Sequence, residues 1–340
     1  MFGRWLSRIG GLRGAGRRTN VALLLVLGCA ALTGSLAFAA GTPIPAKLAT
    51  VIHGLFGLAV VLLMPWKSVI VRRAPALRAA SVALVGLMAL CVISGFLEVF
   101  GGYGVIRRLS PMQVHVGSAA IAAPLLAWHL LRHRRQRLHR RDLSRRTLLR
   151  TGALAVGAAA SYGALEGIGR LVGSASASRI ATGSHHVSPE AVPATMWLFD
   201  RVPMVATDYR VNVAGNELTV SDLRSRSVTV AARLDCTSGW YTDAAWTAVS
   251  LADLLPAEHL AAAASIEVLS MTGYRRRFPA DQAGSLWLAT AYQGVPLRPG
   301  YGAPVRLVAP HRRGFWWVKW VASVQLSDLP AWGQSPFPLQ

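Results

Sequence analysis

Charged residues are scarce in this chain of 340 residues, and acidic residues are the scarcest of them. Asp, Glu, Lys and Arg make up 15% of the sequence, where soluble domains average about 25%. Hydrophobic residues make up 53%, which excludes an intrinsically disordered chain and disfavours an ordinary soluble enzyme. The mean hydropathy of +0.39 instead indicates membrane-spanning segments joined to a more polar part.

Cysteine is also rare: the chain contains three cysteines, which are too few for a disulfide framework. Cys29 and Cys91 lie in apolar runs, where cysteine behaves as a small hydrophobic residue. Cys236 is the only cysteine in the polar part of the sequence. Two interpretations therefore remain for Cys236, a buried structural position or a ligand.

Acidic residues are almost missing from the first half. Residues 1–170 contain 22 of the 36 Lys and Arg residues but only three of the 15 acidic residues. A net charge of +21 would usually suggest nucleic-acid binding. Here the excess lies in short loops between apolar runs, where the positive-inside rule expects it. The sequence therefore predicts the lipid bilayer as a partner and no nucleic acid.

Four apolar runs are long enough to cross a bilayer, which takes about 20 residues. Basic residues flank them, and the segment Arg132–Arg146 alone carries eight arginines. This pattern predicts a multi-pass protein of the cytoplasmic membrane whose N-terminus and Arg132–Arg146 loop are cytoplasmic. A weaker fifth run occupies Thr147–Val172. The four stronger runs are Val21–Ala40, Ala46–Pro65, Ala79–Phe100 and Met112–Leu131.

The heptad SRRTLLR at Ser144–Arg150 resembles the twin-arginine export signal, an address for proteins exported already folded. The alternative is one more positive-inside cluster. Under both interpretations the C-terminal half lies on the extracytoplasmic face, because a span that starts in the cytoplasm must end outside. Ala175–Ala177 resembles the small-residue cleavage site of an export signal.

Three histidines lie inside apolar runs, where ionisable residues are functional candidates, and two of them lie near the outer surface. His53 and His115 both lie ~5–11 Å below the outer surface at 1.5 Å rise per residue. This pair predicts bis-histidine ligation of a haem b, with room for the macrocycle at Gly54, Gly57 and Gly117. The alternative is that each histidine bonds a backbone carbonyl. On the haem interpretation the membrane region is cytochrome b-like and exchanges electrons with the quinone pool or a redox partner protein.

From Thr207 onward, short alternating runs replace the long apolar ones, which is typical of strands. The pattern predicts an exported α+β, mainly β, domain rather than a doubly wound sheet. The predicted division is 1–146, a membrane domain; 147–172, a fifth span; 173–206, a linker; 207–328, the exported domain; and 329–340, a tail. The predicted strands are Val228–Leu234, Ser265–Ser270, Leu286–Tyr292, Pro304–Val308 and Trp316–Leu326.

Several segments of the exported half resemble the sulfite oxidase-type molybdopterin-binding domain, in the order and spacing of that family. They include AARLDCTSGW at Ala231–Trp240, SMTGY at Ser270–Tyr274, GAPVRLVAP at Gly302–Pro310 and GFWWVKWV at Gly314–Val321. The resemblance implies a molybdenum–molybdopterin oxidoreductase that transfers an oxygen atom to or from a small oxyanion or sulfoxide. The alternative is a membrane-anchored binding module that retains the fold without turnover.

The resemblance also implies roles for individual residues. Cys236 takes the position of the molybdenum ligand, and a thiolate is a soft ligand suited to a redox metal. The pterin phosphate requires cations and backbone N–H groups, and Arg306 and Lys319 match basic positions of the family. Gly302 and Gly314 would let the backbone approach the cofactor closely. Surface positions are the alternative for both cations.

Three further positions complete the predicted cofactor site. Arg233 can serve the cofactor or an anionic substrate, and Gly239 belongs to the cysteine motif. Tyr301 differs from the family pattern, which often has histidine at this position. A tyrosine can form hydrogen bonds to the cofactor but cannot carry a positive charge. The run Arg275–Arg277 is interpreted as a solvated edge rather than a site.

Overall fold

The computed structural model describes residues 17–73, 79–104, 109–132, 145–194 and 201–337. The chain forms two compact units. One consists of Met1–Ala37 with Lys47–His185, and the other of Phe38–Ala46 with His186–Gln340. Most of the basic loops that predict orientation lie outside the described residues.

Within the described residues, long helices make up the first part of the chain. Their sequences are rich in Ala, Leu, Val and Gly, and a helix satisfies every backbone polar group internally, as an apolar environment requires. The helices are α1 (Arg17–Ala39), α2 (Pro43–Arg73), α3 (Ala79–Gly101), α4 (Pro111–Arg132) and α5 (Arg145–Leu171).

Four segments of these helices are long and apolar enough to cross a membrane. They are Thr19–Ala39, Pro43–Pro65, Val82–Gly101 and Arg145–Leu171. They correspond to the first three predicted spans and the fifth. The predicted span Met112–Leu131 forms helix α4, which packs against α3, but among the described helices it is not one of the four. Its polar Gln113, His115 and His129 lower its hydropathy.

The second part of the chain is sheet-rich. Its short helices are α6 (Val220–Ser225), α7 (Leu251–Leu254) and α8 (Ala257–Ala262). Its strands are β1 (His185–His186), β2 (Arg210–Val213), β3 (Asn216–Thr219), β4 (Val228–Cys236), β5 (Trp240–Ser250), β6 (Ser265–Ser270), β7 (Arg275–Pro279), β8 (Trp287–Tyr292), β9 (Val295–Pro296), β10 (Arg306–Val308) and β11 (Val321–Ser327).

These strands form two sheets. The first has the order β1-β5-β8-β10, with β4 paired to β5 and β9 paired to β8. The second has the order β3-β2-β11-β6-β7, in which β2 and β11 run parallel. The pairs β4–β5, β5–β8 and β8–β10 are antiparallel, so the long strand β5 lies at the centre of the first sheet.

The segment before β11 connects the two sheets. Leu307 of β10 donates its N–H to the Val318 carbonyl at 2.7 Å, and Met271 donates its N–H to the Trp320 carbonyl at 2.8 Å. Residues 317–320 thus form backbone hydrogen bonds to both sheets without belonging to a strand. The predicted strand Trp316–Leu326 is therefore wrong at its start, since β11 begins only at Val321.

The arginine run also differs from its prediction. Arg275 is exposed on β7, the last strand of the second sheet, but Arg276 is fully buried, so the prediction of a solvated edge is wrong for Arg276. Its guanidinium lies 5.1–5.4 Å from the ring centres of Tyr274, Phe315 and Trp316. It also donates to the Ser335 carbonyl at 2.7 Å. Cation–π contacts and this hydrogen bond explain how a charged side chain is buried here.

Candidate functional site

Cys236 is the last residue of β4, where a tight hairpin leads into β5. It pairs with Trp240 across a three-residue loop, and the Gly239 N–H donates to the Cys236 carbonyl at 3.2 Å. Gly239 has φ of +95°, a conformation that glycine adopts without steric cost. The hairpin therefore holds Cys236 at one end of the first sheet.

A pocket of about 440 Å³, which includes open solvent, lies beside Cys236. It brings together most of the residues that the sequence predicts for the site: Cys236, Tyr301, Arg306, Gly314 and Lys319. Aromatic and apolar side chains complete it, among them Leu234, Trp240, Trp246 and Tyr292. These residues are far apart in the sequence and meet because β4, β5, β8 and β10 are neighbours.

The backbone beneath Cys236 is held closely. A Cβ atom at Gly314 would lie 3.1 Å from the Cys236 Cα, so a larger residue would push against the cysteine. Arg313 forms a buried ion pair with Asp235 at 3.3 Å and reaches the Cys236 carbonyl at 3.5 Å. The Cys236 Sγ lies 3.0 Å from the Ser238 hydroxyl. These contacts fix the position of the Cys236 thiol through both the backbone and the side chain of the cysteine.

Arg306 is buried in this pocket with 4% of its surface exposed. Its Nη1 donates to the Tyr301 carbonyl at 3.0 Å, and its guanidinium lies 4.9 Å from the Trp246 ring centre. Its Nε has no hydrogen-bond partner, and no carboxylate from the described ranges lies within 4 Å. Burial lowers the pKa of Arg306 to about 10, so the group stays protonated at neutral pH. A buried cation without a carboxylate is costly unless an anionic ligand compensates it.

Gly302 brings two cationic side chains together. Its φ is +101°, and a Cβ atom there would lie 3.0 Å from the Lys319 Cβ and 3.1 Å from the Arg306 Cβ. Lys319 donates from Nζ to the Gly300 carbonyl at 2.8 Å. Both the backbone conformation and the space therefore require glycine at this position.

We expect Gly302→Ala to lower the free energy of unfolding by about 1–3 kcal/mol, because it adds both strain at positive φ and a close contact. Gly284→Ala is the matched control, since a Cβ atom there meets nothing within 4 Å. Chemical unfolding of both variants measures the difference. Equal stability of the two variants would contradict this prediction.

Arg233 does not join the pocket. Side chains alternate along a strand, so Arg233 faces the opposite side of β4 from Leu234 and Cys236. Its guanidinium forms a bidentate ion pair with Asp243 at 2.7 and 2.9 Å and stays half exposed. This hydrogen bonding lowers the pKa of Asp243. The prediction that Arg233 serves the cofactor or an anionic substrate in this pocket is therefore wrong.

In the helical unit, the structure brings His53 and His115 together. Their ring centres are 5.7 Å apart, and the rings are nearly perpendicular at 81°. His53 Nδ1 lies 2.9 Å from the Ala30 carbonyl, and His115 Nδ1 lies 2.8 Å from the Cys91 carbonyl. Both histidines therefore bond backbone carbonyls through Nδ1, and this arrangement leaves Nε2 of each ring for another partner.

Two other glycines lie against the histidine rings, besides those predicted to leave room for the macrocycle. A Cβ atom at Gly34 would lie 3.0 Å from the His53 ring, and one at Gly95 would lie 3.0 Å from the His115 ring. The predicted Gly57 and Gly117 instead have open space around them, and Gly54 faces Tyr162. No sequence pattern identified Gly34 and Gly95, because the crossing helices decide which glycine a histidine meets.

Comparison with known proteins identifies the sheet-rich part. Residues 200–334 match the family model described as the oxidoreductase molybdopterin binding domain. This part of the chain is a molybdopterin-binding oxidoreductase domain. The molybdopterin-binding domain thus contains Cys236 and most of the pocket around it.

One solved structure that the chain resembles is the sulfane dehydrogenase SoxCD from Paracoccus pantotrophus. The sequences are 23% identical over 38% of this chain and 40% of that chain, with a TM-score of 0.34. This chain thus covers less than half of the length of that protein. No curated protein matches the chain.

Sequence reasoning missed two contributions to the pocket. Tyr292 belongs to β8, which the sequence predicts as a strand without a role in the site. Val192 and Pro193 belong to the predicted linker 173–206, yet they line the same pocket as Cys236. Neither contribution has a local sequence signal, because both depend on which segments the fold places beside β5.

Proposed function

We propose that this protein is a membrane-anchored, molybdopterin-dependent oxidoreductase of the sulfite oxidase type. It transfers an oxygen atom to or from a small oxyanion or sulfoxide. One observation carries this proposal: a cysteine thiol and a buried arginine line the same pocket of a molybdopterin-binding domain, and no carboxylate among the described residues pairs with this arginine.

The residues of the pocket fit the cofactor. The Cys236 thiolate would hold the metal, since soft sulfur ligands suit redox metals. Arg306 and Lys319 would bind the anionic phosphate of the pterin, and the Gly302 backbone lets these two side chains lie close together. When bound, molybdenum–molybdopterin supplies two-electron oxygen-atom transfer.

The pocket also favours the proposed substrate class. The cations Arg306 and Lys319 make the pocket attractive to anions, a preference that an oxyanion substrate would share with the pterin phosphate. Trp240 and Trp246 are almost completely buried and give it apolar walls, which strengthen electrostatic interactions inside. A small substrate rich in oxygen atoms would suit a pocket that combines positive charge with limited space.

We further propose that His53 and His115 hold a haem b, which exchanges electrons with the quinone pool or a redox partner protein. Metal-ligating histidines usually donate one ring N–H to a carbonyl or carboxylate, and both Nδ1 atoms have such a carbonyl. Within the described part of the chain, neither Nε2 has a hydrogen-bond partner. Each ring therefore presents the nitrogen that an axial ligand needs.

The proposed location is the cytoplasmic membrane, with the molybdopterin-binding domain on the extracytoplasmic face. A twin-arginine signal at Ser144–Arg150 would export the domain with its cofactor already inserted. Ser144 lies outside the described residues, whereas Arg145–Arg150 form the start of α5. Ser176, in the predicted cleavage site, is buried in a short turn.

Metal analysis of the full-length protein, purified in detergent, tests the proposed enzyme. We expect a stoichiometric amount of molybdenum and pterin per chain. Protein from molybdenum-replete cells that contains neither would reject the enzyme and leave the non-catalytic binding module.

The haem is tested by histidine substitution. We expect His53→Ala and His115→Ala each to abolish the haem b band in reduced-minus-oxidised spectra, because each removes one axial ligand. His129→Ala is the matched control, since His129 lies fourteen residues beyond His115 on the same helix. An unchanged band in both variants would reject this ligand pair.

A further inference from the structure

The segment Val187–Ala194, here called the strap, connects the helical unit to the molybdopterin-binding domain. The strap precedes residue 200, where the match to the family model begins, so it lies outside that match. It nevertheless follows a defined path on the domain. Val187 donates its N–H to the Tyr241 carbonyl of β5 at 2.8 Å, which places the start of the strap against the first sheet.

Two tyrosine hydroxyls hold the strap farther along. Tyr292 donates its hydroxyl to the Pro189 carbonyl at 2.9 Å. Tyr301 donates its hydroxyl to the Val192 carbonyl at 2.5 Å. The two rings meet edge to face with their centres 5.5 Å apart. The strap is therefore attached at three points within six residues.

The end of the strap lies at the pocket. Val192 and Pro193 line it together with Cys236 and Arg306, and Val192 is only 9% exposed. A Cβ atom at Gly300 would lie 2.7 Å from the Ala194 Cβ, so this close approach requires glycine. The strap thus supplies part of the wall beside the thiol and the buried cation.

Tyr301 joins the strap to the cation. Its hydroxyl holds Val192, and its carbonyl accepts the hydrogen bond from Arg306 Nη1 at 3.0 Å. This explains the tyrosine at the position where the resembling family often has histidine. The hydroxyl is directed to the strap, and a histidine ring is too short to reach the carbonyl in the same way.

We propose that the strap is a wall of the cofactor-binding site and that Tyr301 and Tyr292 are its positioning residues. This inference rests on the proposed function, since the cofactor it retains is the molybdopterin. The pterin leaves the pocket only after the strap has opened. A chain cleaved after Ala177 would keep the strap, whereas a domain that begins at residue 201 would lack this wall.

The test compares Tyr301→Phe, Tyr292→Phe and the double variant in the full-length holoprotein in detergent. Tyr209→Phe is the matched control, because Tyr209 also donates its hydroxyl to a backbone carbonyl, that of Val321 in the second sheet. Hydrogen exchange of peptides covering 187–194 measures opening of the strap. Fluorescence of the released, oxidised pterin measures cofactor loss.

We expect Tyr301→Phe and Tyr292→Phe each to raise the rate of hydrogen exchange in the strap and the rate of pterin release by about 2- to 10-fold. This is the effect of losing one hydrogen bond. The double variant should raise them further, and Tyr209→Phe should leave both unchanged. Unchanged exchange in the double variant, or faster exchange with unchanged pterin release, would overturn the inference alone. Wild-type protein that contains no pterin would instead overturn the proposed function, and the inference with it.

Discussion

Cys236→Ser is expected to lower turnover by more than about 100-fold, beyond the loss typical of residues that only support a metal ligand. Serine has nearly the same size as cysteine and can keep the hydrogen bond to Ser238. The substitution therefore changes mainly the softness of the ligand atom, and a hydroxyl is a poor substitute for a thiolate on a redox metal. We also expect the thiolate-to-metal charge-transfer absorption to disappear.

Cys29→Ser is the matched control, because it makes the same substitution in α1 and leaves the pocket untouched. Its activity and absorption spectrum should equal those of the wild type. If Cys236→Ser retained both the absorption band and the activity, Cys236 would be a structural cysteine, and the proposed site would be wrong.

Arg306→Met is expected to reduce pterin affinity by at least about tenfold, because it removes a charge-assisted hydrogen-bond donor from the anion site. The same substitution should leave the stability of the cofactor-free protein unchanged or raise it. The reason is that methionine has a similar shape but removes a buried cation, which has no carboxylate partner in the described part of the chain. The pterin content should therefore fall while the free energy of unfolding does not.

Arg276→Met is the control for this prediction, because Arg276 is also a buried arginine surrounded by aromatic rings. Its hydrogen bonds to Tyr274 and Ser335 are structural, so we expect a loss of about 1–3 kcal/mol in stability. The folded fraction should retain its pterin. A loss of stability without a loss of pterin in Arg306→Met would show that Arg306 is structural.

The central strand β5 shows why part of the fold escaped prediction. Its sequence, WYTDAAWTAVS, contains three alanines and several polar residues, so the alternation of apolar residues is weak. The strand is stabilised by pairing with β4 on one side and β8 on the other. By contrast, Ser265–Ser270 was predicted correctly at both ends, because it is a short run rich in apolar residues before a glycine turn.

Local chemistry in the sequence determined the main outline of this protein. Long apolar runs predict membrane helices, because only internally satisfied backbone is stable in lipid. The ordered segments around Cys236 resemble the molybdopterin-binding family, and residues 200–334 match the model of that family.

Only the tertiary structure decided which polar groups share a site. It placed Arg306 of β10 in the pocket beside Cys236 of β4. It buried Arg276 among aromatic rings and brought Val192 of the strap beside Cys236. These outcomes depend on contacts between residues far apart in the chain, which the alternation within a single strand or helix does not encode.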